Sequence, residues 1–414
     1  MNAFGKGGRE ICIGIGLSFC ITLTVMAIYH LGGFQWLELH TYDMRMNFRG
    51  PQSLQSPILL VLNDEQTVTH LGIGPSRVSR TQYAQAIQHL HRAKARLIVL
   101  DVVFSELGDQ EENQMLADAI AQAGNVILAR YIGPDESMTP LPIFQTVAMG
   151  EGLINVRPDS DGVLRSMPLL GLGFAQNQFR PFLTLGAEVG RLYFDPEGIS
   201  PLNLDTPGSA KVGPIHIPIK QNTLLINFAG PSGTFPSLPF WKIVNGEFSP
   251  NQVSNQIVML GSSAATLQDF HHTPFSQKET SMLNSQSASV SGTRMSGVEV
   301  HANLLNTFLT RQFIVHSSPH LVLLLIGAMG VICCLLITLI PKGELGVVLG
   351  VIGLLGTVIG LSVILFQQYN YWLDTVPLLA IINGHFALAT AYQRYLVIRH
   401  RDHLQTMLLK QKEN

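Results

Sequence analysis

Two stretches decide the fold: Ile58-Leu59-Leu60-Val61-Leu62-Asn63 and Leu97-Ile98-Val99-Leu100-Asp101-Val102-Val103-Phe104. Both are short apolar runs rich in branched side chains, the pattern of strands buried on both faces. Asp64-Glu65 follow the first run and Asp101 sits within the second. Between them, Ser79 to Arg92 places Tyr83, Ile87 and Leu90 at helical spacing, with Ser79 as cap. Glu111 to Ala123, closed by Gly124, reads as a second helix, and Val126 to Tyr131 as a third strand. This βαβαβ order predicts an α/β domain with a mostly parallel sheet covered by helices.

Further along, Gly152 to Val156 and Leu164 to Leu170 read as strands around a turn at Asp159-Ser160-Asp161-Gly162. Phe182 to Tyr193 reads as a helix, and Leu224 to Phe228 and Ile257 to Leu260 as strands. Gln277 to Arg294 is Ser-rich and polar, the composition of a loop, and Gly297 to Gln312 is helical. No internal repeat is visible.

The composition is split. The chain of 414 residues is 46% apolar and 13% charged, against about 25% charged in soluble domains. The deficit comes from charge-free runs near the two ends. A helix needs about 20 mainly apolar residues to cross a bilayer. Ile11 to Ile28, Leu321 to Ile340, Leu345 to Phe366 and Tyr371 to Tyr392 meet that length, the last with Asp374 and His385 inside it. The expectation is an α-helical bundle of four spans beside the α/β domain. A cleaved signal peptide ending near Val25-Met26-Ala27 is the rival reading of the first run, which is longer than a usual signal core.

Basic residues orient the spans. Lys6 and Arg9 precede the first, Lys342 lies between the second and third, and Arg394, Arg399, Arg401, Lys410 and Lys412 follow the fourth. The expected layout is a first span within 1–30, an outer domain over 31–318, three spans over 319–393 and a basic tail over 394–414, with both termini inside. Trp36, Tyr369, Tyr371 and Trp372 would form an outer interfacial belt. A net charge of −2 gives no general attraction to nucleic acid. Cys12, Cys20, Cys333 and Cys334 all lie in the apolar runs, so the outer domain holds no disulfide.

Ligands of open parallel sheets sit at the carboxyl ends of the strands. Asp64, Glu65 and Asp101 belong there, with Arg80 opening the next helix. If Asp269, His271, Glu299 and His301 came close, an acidic, His-bearing pocket for a cation or polar ligand would result. The alternative is that Asp64 and Asp101 satisfy loop amides or pair with Arg77, Arg80 or Arg165. His271-His272 lack dense ligand spacing and read as loop histidines, so no metal site is expected. Gly230-Pro231-Ser232-Gly233-Thr234 lacks the Lys of a phosphate loop and reads as a turn, and Gly72-Ile73-Gly74 lacks a third Gly. There is no nucleophile elbow and no His-Glu-x-x-His, so neither enzymatic activity nor a cofactor is expected. Asp374 and His385 are ionisable groups in a span, functional by default or held by solvent and by bundle hydrogen bonds respectively.

The ordered motifs resemble the CHASE2 family of bacterial extracytoplasmic sensory domains. They are Tyr42-Asp43-Met44-Arg45, Ile58 to Glu65, Arg80 to Ala84, Lys94 to Phe104, Asp161-Gly162-Val163-Leu164-Arg165, Ile226 to Pro231, Val258 to Ser263, Asp269, Thr273-Pro274 and Gly297-Val298-Glu299-Val300-His301-Ala302-Asn303. The Trp expected beside Pro75 is missing. The resemblance implies a signal-input module in the bacterial cytoplasmic membrane, with one span before and three after and residues 31–318 periplasmic or extracellular. Family members usually feed a cytoplasmic kinase or nucleotide cyclase. About twenty residues follow the last span here, so that partner is expected in trans, and a homodimer is expected by analogy. A scaffolding subunit and an extracytoplasmic enzyme are the competing readings.

Overall fold

The computed structural model describes residues 3–72, 78–133, 137–175, 178–197, 202–203, 208–220, 222–264, 269–276, 294–339 and 344–412. The expectations for Gly74 to Arg77, Pro341-Lys342 and Gln277 to Thr293 lie outside them. The chain divides into two compact units: Met46–Ile314, and a second made of Met1–Arg45 with Val315–Asn414.

The first unit is built on a mostly parallel sheet. Its strands are β1 (Ile58–Asn63), β2 (Leu97–Leu100), β3 (Val126–Ile132), β4 (Ser137–Met138), β5 (Gly150–Leu153), β6 (Ser237–Pro239) and β7 (Ile257–Ser262). The order is β6-β1-β7-β2-β3-β4, and β5 also pairs with β3. Only β4 runs antiparallel. The late strand β7 is inserted between β1 and β2: Leu60 lies beside Met259, and Met259 beside Val99.

Side chains alternate between the two faces of the sheet, as strand geometry requires. Leu59, Val61, Ile98, Leu100, Val258 and Leu260 meet the helices Arg80–Arg92, Gln110–Ala123 and Phe240–Asn245. Ile58, Leu60, Leu97, Val99, Ile257 and Met259 meet Leu185–Phe194 and Gly297–Thr310. Arg80–Arg92 begins with a capping box, in which Ser79 and Gln82 bond each other's backbone N–H. Gln110–Ala123 is capped by Asp109 and stopped by Gly124 at φ +68°.

The helix Gly297–Thr310 is buried along almost its whole length. Val298, Ala302 and Leu305 face the sheet, while Val300, Leu304 and Phe308 join a separate core. That core is made by the short antiparallel pairs Ser166–Pro168 with Thr223–Leu225 and Ser209–Val212 with Ile215–Pro218. A helix buried on every side belongs between two layers, and its polar side chains Glu299, Asn303 and Thr307 are hydrogen-bonded there. The expected helix from Phe182 starts later. Gln178–Leu183 is a strand paired with Leu170–Ala175, and the helix is Leu185–Phe194.

Among the described residues of the second unit three helices are long and apolar enough to cross a membrane, over Ile13–His30, Pro319–Leu336 and Val348–Tyr369. The expected fourth span begins differently. Tyr371–Trp372 forms a short parallel pair with Val315–His316, and the helix runs Val376–Lys412. Gly330 and Gly384 let helices approach closely: an added Cβ would lie 2.4 Å from Thr22 Oγ1 and 3.1 Å from Ile21 Cγ2. Trp372 is buried, stacked on His316 at 4.1 Å, rather than part of an exposed belt.

Candidate functional site

The carboxyl ends of β2 and β7 set the position of Asp101, whose backbone N–H bonds the Leu260 carbonyl at 2.8 Å. Its side chain is half-buried. Desolvation, reinforced by the charge of Asp269, pushes its carboxyl up to about 8. The Tyr83 phenol beside it is raised as well, by burial first and by Asp101 second.

Asp269 precedes the short strand Phe270–His271 and bonds His271 Nε2 through Oδ1 at 3.1 Å. That strand pairs with Met295–Ser296, directly before the central helix. The Asp269 carboxylate therefore lies against the first helical residue, Gly297. One turn on, His301 is 1% exposed. It donates to the Ile154 carbonyl, and its Nδ1 has no partner among the described residues. Burial lowers this imidazole to about 4 even though Asp269 favours the charged form.

Asp101, Asp269, His271 and His301 thus sense one another electrostatically at the carboxyl edge of the sheet. Two acidic side chains and an imidazole nitrogen without a partner suit a polar ligand that offers N–H or O–H groups. Among the described residues no three His, Cys, Asp or Glu side chains are placed to hold a metal ion.

The other sequence candidates lie apart. Asp64 caps the helix Glu65–Leu71, with Oδ1 accepting from Thr67 N at 2.8 Å and Thr67 Oγ1 at 2.9 Å. Glu65 is exposed in the first turn of that helix. Arg80 donates to the Glu106 carbonyl and lies 5.9 Å from the Phe144 ring centroid. Arg165 is buried and pairs with Asp159 at 2.8 Å and Asp161 at 2.7 Å, not with Asp64 or Asp101. Glu299 does not join the Asp101 cluster. Its buried carboxylate accepts from Gly233 N at 2.8 Å, Thr234 N at 3.1 Å and Ser232 Oγ at 3.1 Å. Those amides of the turn are thereby occupied by a carboxylate belonging to the chain itself.

Of the two readings of Asp374, the one in which solvent holds it does not fit, because the structure buries it. It accepts from Tyr29 OH at 2.9 Å and His316 Nε2 at 2.7 Å. Nearby, Arg45 donates to Glu38 at 3.2 Å and to the Leu373 carbonyl at 3.0 Å, and Glu38 also accepts from Val376 N. Burial raises the Glu38 carboxyl and lowers the Arg45 guanidinium, each opposed by the other's charge. His385 bonds Ser18 Oγ at 2.6 Å across two helices. Glu38, Tyr29 and His316 carried no sequence signal, because their partners lie far along the chain. Arg45 did, as the last residue of Tyr42-Asp43-Met44-Arg45.

The chain thus combines apolar helices long enough to cross a membrane with a mostly parallel, helix-covered sheet domain. A family model, the CHASE2 domain, matches residues 20–340, and the chain belongs to that family of sensory domains. No curated protein and no solved structure matches the chain.

Proposed function

We propose that this chain is a membrane-bound sensor that relays an envelope signal to a separate cytoplasmic partner. Residues 31–318 stand outside a bacterial cytoplasmic membrane, four spans cross it, and both termini lie inside. The signal acts at Asp101, Asp269 and His301. One observation carries the reading: the helix Gly297–Thr310 bears Gly297 and His301 of this cluster at one end. From its other end only residues 311–318 lead to the apolar helix Pro319–Leu339. A ligand that binds two states of this helix with different affinity shifts their populations. The partner is a kinase or nucleotide cyclase acting in trans, and the working unit is a homodimer.

Two experiments test this. Reporter fusions after Ser318, Lys342, Asn370 and Arg399 should alternate between outside and inside, in that order. In the native cell, the full chain and a chain lacking residues 395–414 are compared for co-purified kinase or cyclase and for second-messenger levels. Loss of the partner and a changed output are expected. Unchanged recovery and unchanged output would refute the relay.

The scaffolding alternative has one observation in its favour. The hairpin Leu170–Ala175 with Gln178–Leu183 exposes Leu172 at 65% and Phe179 at 77%, apolar surface suited to a protein contact.

A further inference from the structure

The helix Gln35–Arg49 has one buried face and, opposite it, a face of exposed apolar side chains. At 100° per residue, Glu38, Leu39, Tyr42, Arg45 and Met46 share one side, and all five are buried. Trp36, Leu37, Met44 and Phe48 fall on the other, exposed at 60%, 44%, 71% and 72%. The buried side is fixed in place: Glu38 holds Val376 N, Arg45 holds the Leu373 carbonyl, and Tyr42 packs on Phe366 and Trp372 at 5.4 and 4.7 Å. These partners all lie at or between the ends of the helices Glu344–Tyr369 and Val376–Lys412. The exposed side therefore cannot turn inward to hide its apolar surface.

The turn before the helix is equally constrained. Gly33 N bonds the Ile28 carbonyl, and an added Cβ on Gly33 would lie 2.7 Å from Ile28 Cγ2. Gly32 supplies the left-handed φ of +76° that this bend requires. The helix thus starts at the level where the helix Ala3–His30 ends. Its exposed surface continues through Leu31, 83% exposed, onto Ile28, Leu23 and Phe19 of the first apolar helix.

We propose that the helix Gln35–Arg49 is an interfacial helix, its Trp36–Leu37–Met44 face embedded at the outer headgroup–acyl boundary of a phospholipid bilayer. This rests on reading the chain as membrane-spanning. Lipid is the occupant because the stripe continues the open side of an apolar helix long enough to span. Trp at its near end suits the interface. The exposed side carries no Lys or Arg. Its titratable residues are His40 and Asp43, so apolar burial rather than anionic headgroups drives the contact. From Trp36 to Phe48 the stripe is about 18 Å long.

The test uses the full chain in vesicles of phosphatidylcholine, with or without phosphatidylglycerol. Trp241→Phe leaves Trp36 and Trp372, and the signal lost on adding Trp36→Phe belongs to Trp36. Lipids brominated near the headgroup should quench Trp36 more than lipids brominated near the chain end, equally in both mixtures. Leu37→Glu with Met44→Glu should abolish the difference. A protein extracted by alkaline carbonate would overturn the membrane reading as well as this inference. An integral protein with unquenched Trp36, or with a photoreactive residue at position 44 crosslinking to a second copy, would overturn this inference alone.

Discussion

The Asp269 carboxylate fills the space that any side chain at Gly297 would need: an added Cβ would lie 2.3 Å from Oδ2 and 2.8 Å from Cγ. The glycine is required by that neighbour, since no left-handed backbone is involved. Gly297→Ala must therefore push Asp269 away from the helix start and from His271. Asp269 is half-exposed and can rotate away, so the cost stays at the low end of overpacking, about 1 kcal/mol. The expected result is a lower thermal midpoint for the detergent-solubilised chain. In an Asp269→Ala background the same substitution should cost much less. Equal costs in both backgrounds would show that the two side chains do not compete for the space.

Asp101 and His301 predict a stability profile with opposing slopes. Asp101 keeps its proton in the fold up to about 8 but loses it near 3.8 when unfolded, so its contribution falls as pH rises between those values. His301 is neutral in the fold down to about 4 but protonates near 6.5 when unfolded, so its contribution falls as pH drops through that window. Between pH 4 and 6.5 the two slopes cancel. Above 6.5 only Asp101 remains, and stability should fall by at most about 2 kcal/mol up to pH 8. Asp101→Asn should flatten the upper limb, and His301→Gln should expose a decline beginning near pH 4. Denaturant midpoints measured against pH check both.

Glu299 holds the turn Gly230 to Thr234 through two amides and a hydroxyl. Glu299→Ala leaves these donors to water, since Gly233 is exposed and Ser232 and Thr234 are half-buried, at about 0.5–1.5 kcal/mol for each bond lost. Glu299→Gln keeps one acceptor and should cost less. Hydrogen exchange at Gly233 and Thr234 should quicken in the Ala variant, and unchanged exchange there would contradict the assignment.

Arg45 and Glu38 are both buried, and each side chain's remaining valences go to Thr41, Leu373 or Val376. Breaking such a pair from one side leaves a charge uncompensated and costs about 3–5 kcal/mol. Arg45→Met alone should lower the midpoint strongly. Arg45→Met with Glu38→Leu should cost less than the sum of the single changes. Additive losses would mean that the ion pair carries no coupling.

Part of the candidate site was legible before the structure. Asp101 announced itself as a carboxylate inside an apolar run at a strand end, and His301 and Asp269 came from the family motifs. Glu299 turns to Ser232, Gly233 and Thr234 instead of toward Asp101, and the spacing already separates it from His301. Residues 299 and 301 are two apart on one helix, so they point about 200° apart, whereas 297 and 301 share a face. The solvent reading of Asp374 arose because a carboxylate at a span end usually meets water. Tyr29 and His316, which bury it, lie 345 and 58 residues away in sequence.

The sequence by itself determined the strands of the sheet core, the amphipathic helices over one face, the apolar helices at the ends and the CHASE2 motif series. These are local signals: runs, periods, caps and composition follow from what one segment must bury. Only the tertiary structure decided that β7 enters between β1 and β2, and that Gly297–Thr310 is a central helix shared by two cores. It likewise decided that Glu299 closes a turn while His301 faces Asp269. Those facts depend on which faces meet across gaps of tens to hundreds of residues, and no local period encodes that choice.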